Sequence, residues 1–210
     1  MKEFFGDKII PVCKDLTDTK QLKSVSVLLE EEKADVRYRE QCGDCPHGSS
    51  EDFSPEEIER TIDLNCKAPV LLMNYCLPFL SKGSKILNIS SASAFQPTPY
   101  INLYAATKAF ERSYSRALNA ELKARGITVT AVCPSWVDTD LLTKEIKGVK
   151  VKFHGIVSPG RVAAKALKDA KKGKDMSVCS LYVKCQHLNV KLMPQKLTMK
   201  LWLNSIKKYL

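Results

Sequence analysis

Residues 86 to 108, ILNISSASAFQPTPYINLYAATK, restrict the fold of this 210-residue chain more than any other stretch. Residues 86–89 read as a short buried strand between Gly83 and the paired serines, Ser90 and Ser91. A loop with Pro97 and Pro99 follows, and a helix opens near Ile101. That helix carries Tyr104 and Lys108, four residues apart and therefore on one face, about 5–6 Å from each other. A phenol with a pKa near ~10 is a weak proton donor and a weaker base at neutral pH. An ammonium fixed one turn away favours the phenolate and lowers that pKa. The Ser91 hydroxyl, at the end of the preceding strand, can face the same point. A Tyr and a Lys at this spacing are common on helix surfaces, so the pair gains meaning only from its surroundings.

Elsewhere the sequence alternates strand and helix signals. Residues 7–13 read as a strand. Thr17 or Asp18 can cap a helix that runs to about Glu32. Ser54, Pro55, Glu56 and Glu57 form a strong helix start, and that helix continues through Asn65 towards Leu80. The helix with Tyr104 ends near Gly126, and residues 127–133 form another buried strand. Ser158 and Pro159 open a further helix, and residues 176–180 read as a last strand. A chain of this length with 44% hydrophobic residues can bury one substantial core.

Ser91 stands thirteen residues before Tyr104, and YAATKAF leads into an amphipathic helix. The whole string resembles the catalytic segment of the short-chain dehydrogenase/reductase family. The resemblance extends from Asp7 to about Ser180. It implies an α/β, Rossmann-type three-layer sandwich with a mostly parallel sheet. It also implies NAD or NADP as cofactor and reversible hydride transfer with a small-molecule alcohol or carbonyl. Under it, Tyr104 is the general acid in reduction and the base in oxidation. Lys108 lowers the tyrosine pKa and holds the ribose hydroxyls, and Ser91 orients the substrate oxygen. Asn65, by its residue type alone a satisfied core polar group, completes the set through a water relay to the lysine. Asp15 and Leu16 match the family's adenine contact, though Asp15 alone reads equally well as a turn and helix cap. Pro134, Val137 and Thr139 match a Pro-Gly-x-x-x-Thr turn at the nicotinamide carboxamide. Ser135 stands where that turn has glycine, which predicts a strained or reshaped turn. Residues 141–153 become the substrate-covering segment, with Trp136 and Phe153 lining an apolar pocket.

Two features depart from the family pattern. No Gly-x-x-x-Gly-x-Gly occurs in the sequence, so the first βαβ unit, which cradles the pyrophosphate, is expected to be missing. Residues 34–38 can start the next strand, but where the family has an apolar strand the stretch becomes RYREQCGDCPHGSS, read as a polar surface loop or as the product of two compensating frame changes. Cys42, Cys45 and His47 lack the second ligand pair of a structural zinc site, so no metal is expected. A truncated member of this kind either turns over or survives as a non-catalytic remnant unable to hold cofactor.

The charge lies at the far end. Residues 1–160 hold 21 basic and 21 acidic residues, whereas residues 161–210 hold 12 basic and two acidic, which accounts for the net charge of +10. Residues 181–210 therefore read as a basic, amphipathic helical extension of a domain spanning 1–180. On its last helix Met199, Trp202, Leu203, Ile206, Tyr209 and Leu210 share a face. Such a helix packs on its own domain, on a second subunit of a homo-oligomer, or on an anionic membrane surface. Nucleic acid has no matching motif. The eight cysteines form no disulfide framework, and no signal peptide or membrane-length apolar run is present. A cytoplasmic protein is the expectation.

Overall fold

The computed structural model describes residues 12–32, 37–39, 48–139, 142, 145–146, 149–151, 153 and 155–207. Helix α1 (Thr19–Glu32) starts where the Asp18 carboxylate accepts the Lys20 N–H at 2.8 Å. Helix α2 (Pro55–Ile62) has a reciprocal cap: the Ser54 hydroxyl accepts the Glu57 N–H, and the Glu57 carboxylate accepts the Ser54 N–H at 2.8 Å. A π-helical turn, Asp63–Lys67, joins α2 to α3 (Ala68–Cys76). α1 lies on α3 through Leu22, Ala68 and Leu72.

The strands are β1 (Arg37–Arg39), β2 (Lys85–Ile89), β3 (Thr128–Val132), β4 (Glu145–Ile146), β5 (Val149–Lys150) and β6 (Met176–Ser177). The main sheet has the order β1-β2-β3-β6, parallel throughout, and β4 and β5 form a separate antiparallel pair. Arg37, Tyr38 and Arg39 lie opposite Lys85, Ile86 and Leu87. A strand start within 34–38 is expected, and the polar residues of the stretch pair as well, because a ladder is made by main-chain groups and tolerates polar side chains at a sheet edge. The Cys42, Cys45 and His47 cluster and the 7–11 part of the first expected strand lie outside the described residues.

Helix α4 (Asn102–Leu122) covers one face of the sheet, where Ile86 and Val129 pack with Met73, Leu118 and Leu122. Helix α5 (Pro159–Lys171) covers the other, where Leu87 and Val132 meet Ala166 and Ala170. Successive residues of β2 thus bury on opposite faces, as a parallel strand between two helical layers must. α4 ends in a short 3-10 turn closed by Gly126 at φ 71°, where a Cβ would come within 2.7 Å of the Lys82 side chain.

Helices α6 (Leu181–Leu192) and α7 (Gln195–Ile206) are separated by Pro194. α6 is anchored by fully buried Val183, which packs with Ala92, Phe95, Ala131 and Cys133. In α7 the indole N–H of Trp202 donates to the Pro99 carbonyl at 2.9 Å and Thr198 is buried. Leu203 does not share that inward face and is exposed. Met199, Trp202 and Ile206 lie on the half-buried side of the helix, as the apolar periodicity expects, and this orientation gives the indole its acceptor. Tyr209 and Leu210 lie outside the described residues.

Candidate active site

Because the main-sheet strands are parallel, β2 and β3 end on the same side, and the site is assembled at those carboxyl ends. After β2, the Ser90 hydroxyl donates to the Lys108 carbonyl at 2.7 Å and ties the strand end to α4. Ser91 caps the 3-10 turn Ala92–Phe95, its Oγ accepting the Ser93 N–H at 3.2 Å. The next N–H, of Ala92, donates to the Pro134 carbonyl at 2.8 Å and links this turn to the loop after β3.

Tyr104 lies in the first turn of α4, half-buried. Lys108 is buried, and its Nζ is 5.9 Å from the centre of the Tyr104 ring. That ammonium donates to the Ile89 carbonyl at 2.7 Å and to Glu111 Oε2 at 2.8 Å. Asn65 sits in the π-helical turn, also buried, with its Nδ2 donating to Thr107 Oγ1 at 3.0 Å. Thr107 in turn donates to the Tyr104 carbonyl at 2.9 Å. Ser91, Tyr104, Lys108 and Asn65 are thus tied to one helix and the strand end beside it. π-Turns of this kind inside helices are frequent at functional sites.

The residues matched to cofactor contacts are more dispersed. The Asp15 carboxylate accepts the Thr17 N–H at 2.9 Å and the Thr17 hydroxyl at 2.7 Å, and these bonds hold it below the usual carboxylate range. Leu16 packs on the Leu22, Ala68 and Leu72 cluster. In the loop after β3, Pro134 is buried, Val137 bridges to Val157, and the Thr139 carbonyl accepts the Leu142 N–H at 3.1 Å. Ser135 is not left-handed; among the described residues Tyr100, at φ 66°, is the non-glycine residue in that region. The strain expected at Ser135 is therefore absent, and the strained backbone lies just ahead of α4 instead. Trp136 and Phe153 pack on each other, ring centres 5.0 Å apart.

Sequence reasoning missed Glu111. Its signal is that it falls on the buried stripe of α4 with Ala105, Lys108, Ser115, Leu118 and Leu122, where a carboxylate needs a cationic partner. Cys133 is near the site but is no nucleophile, since burial pushes its thiol up to about 12. A cavity of about 330 Å³ lined by Phe53, Ile58 and Leu103 opens on the flank of α4 away from Tyr104 and Lys108. Among the described residues no group of three His, Cys, Asp or Glu side chains could hold a metal ion.

Comparison with known proteins shows what the chain is similar to. A very-long-chain 3-oxoacyl-CoA reductase of Anas platyrhynchos is 42% identical over 86 residues, which are 40% of this chain and 28% of that protein. The chain thus covers well under half the length of that relative. A short-chain dehydrogenase from Sphingobium yanoikuyae, solved in complex with NADPH, is 26% identical with a TM-score of 0.67, covering 88% of this chain and 73% of that one. One from Burkholderia cenocepacia J2315, in complex with NADP, is 19% identical and matches in fold, with a TM-score of 0.75 over 93% of this chain and 81% of the other. The family model for short chain dehydrogenases matches residues 1–150. With that match and a parallel sheet covered by helices on both faces, this chain belongs to the short-chain dehydrogenase family of oxidoreductases.

Proposed function

We propose that this chain belongs to an oxidoreductase that uses NAD or NADP to interconvert a small-molecule alcohol and its carbonyl. The observation that carries the reading is Lys108 Nζ lying 5.9 Å from the Tyr104 ring centre, both residues on α4. The donor set suits a nicotinamide nucleotide: a phenol and an ammonium converge at the carboxyl ends of parallel strands, where such sheets bind nucleotides. The bound nicotinamide supplies or takes up the hydride. Tyr104 Oη delivers the proton to the carbonyl oxygen in reduction and removes it from the alcohol in oxidation. Lys108, positioned by the Ile89 carbonyl, draws the phenol towards phenolate and would hold the ribose hydroxyls. Ser91 Oγ, already accepting the Ser93 N–H, keeps its own O–H to donate to the substrate oxygen. Asn65, through Thr107, fixes the first turn of α4 and with it the tyrosine. Asp15 and Leu16 would meet the adenine, and Pro134, Val137 and Thr139 the nicotinamide carboxamide. The Sphingobium yanoikuyae short-chain dehydrogenase, in complex with NADPH, supports a nicotinamide nucleotide as cofactor.

A non-catalytic chain is the competing reading. One observation favours it: the Glu111 carboxylate, 2.8 Å from the Lys108 ammonium, offsets its field at Tyr104. NADPH fluorescence titration, followed by turnover on a panel of ketones and 3-oxoacyl thioesters, separates the two. Binding is expected to saturate, and Tyr104→Phe is expected to keep binding while losing turnover by about 100-fold or more. Absence of nicotinamide binding, or undiminished turnover in Tyr104→Phe, refutes the enzymatic reading.

A further inference from the structure

α6 and α7 each bury one side and expose leucines on another. On α6, Val183 faces inward, while Leu181, Leu188 and Leu192 are 75%, 56% and 75% exposed. At 100° per residue those three leucines fall within about 40° of one another and roughly opposite Val183. On α7, Thr198 and Trp202 face the body of the protein, while Leu197 and Leu201, four residues apart, are exposed. None of these leucines belongs to the four apolar clusters of the core.

The charges beside them are of one sign. Lys184 and Lys191 flank the leucine stripe of α6, and Lys196 and Lys200 lie beside that of α7. No acidic residue occurs after Asp175. A second copy docking isologously through this face would bring lysines against lysines, which disfavours self-association. A surface that is apolar at depth and anionic above it suits the leucines and the lysines together. No described helix is long and apolar enough to cross a bilayer, so the contact is peripheral.

We propose that α6 and α7 form a docking face for an anionic membrane surface, with the exposed leucines entering the headgroup region and the lysines paired with lipid phosphates and carboxylates. The proposal is independent of the oxidoreductase reading, since it needs neither cofactor nor turnover. The test is flotation of the purified protein with vesicles of phosphatidylcholine alone or mixed with phosphatidylserine. Binding is expected to the mixed vesicles and to weaken in high salt. Each lysine near the surface strengthens binding about fivefold, so Lys184→Ala/Lys191→Ala should weaken it about 25-fold. Leu188→Gln/Leu192→Gln should weaken it at least tenfold, and because these leucines are exposed the fold should be unchanged by circular dichroism. Failure to float with phosphatidylserine vesicles overturns the proposal, as does equal binding to both compositions. A dimer in light scattering that the leucine variant converts to monomer also overturns it, because a second copy then covers the face.

Discussion

Separating Lys108 from Glu111 tests the site most directly. Their side chains are 3% and 1% exposed and 2.8 Å apart. At an effective dielectric constant of about 20, their attraction is on the order of 6 kcal/mol, set against the cost of removing two ions from water. The pair as a whole therefore contributes little net stability, but half of it left alone is an uncompensated buried charge. Lys108→Met and Glu111→Leu are each expected to destabilise by about 3–5 kcal/mol, lowering Tm by roughly 6–20 °C in a chain of this size. The double variant should be more stable than either single one, with a coupling energy above about 2 kcal/mol. Urea unfolding of the four proteins, followed by circular dichroism and by tryptophan fluorescence, measures this, with coincident transitions justifying two-state treatment. Single losses below about 1 kcal/mol, or losses that simply add, would refute a coupled buried pair.

Two further predictions concern pH. Burial alone would raise the Asp169 carboxyl, but bonds from Lys165, Ser177 and Lys174 bring it down to about 2. A depressed carboxylate stabilises fully above its unfolded value of 3.8 and loses that contribution as pH falls towards 2. Wild type should therefore lose about 2 kcal/mol across this window that Asp169→Asn does not, and equal urea midpoint shifts in the two proteins would contradict it. His187 packs on Phe95, with ring centres 4.1 Å apart; burial, then Lys191, Arg112 and Arg116, lower its pKa below 6.5. Stability from neutral His187 is complete above pH 6.5 and falls as pH drops through the folded pKa. His187→Gln should flatten the pH dependence of Tm just below pH 6.5, and an unchanged slope counts against a half-buried neutral imidazole.

Several elements could be read from the chain because their signals are local. Ser54, Pro55 and Glu57 meet their cap partners within three residues, so the start of α2 needs no tertiary information. The spacing of Tyr104 and Lys108 places them on one face of any helix, and the apolar runs around Ile86 and Val129 can be buried on both sides only between two layers. The tertiary structure decided what depends on distant partners. It recruited Arg37–Arg39 to the sheet through main-chain pairing with β2, to which their polar side chains are irrelevant. It turned Trp202 towards the Pro99 carbonyl, 103 residues away in sequence, and left Leu197 and Leu201 exposed. Glu111 shows the division within one helix. Three residues from Lys108 and on the same stripe of the helix, it can pair with the lysine by spacing alone, but only the packing of α4 against the sheet excludes water and makes that pair a buried one. Local spacing fixes which groups can meet, and burial fixes what the meeting is worth.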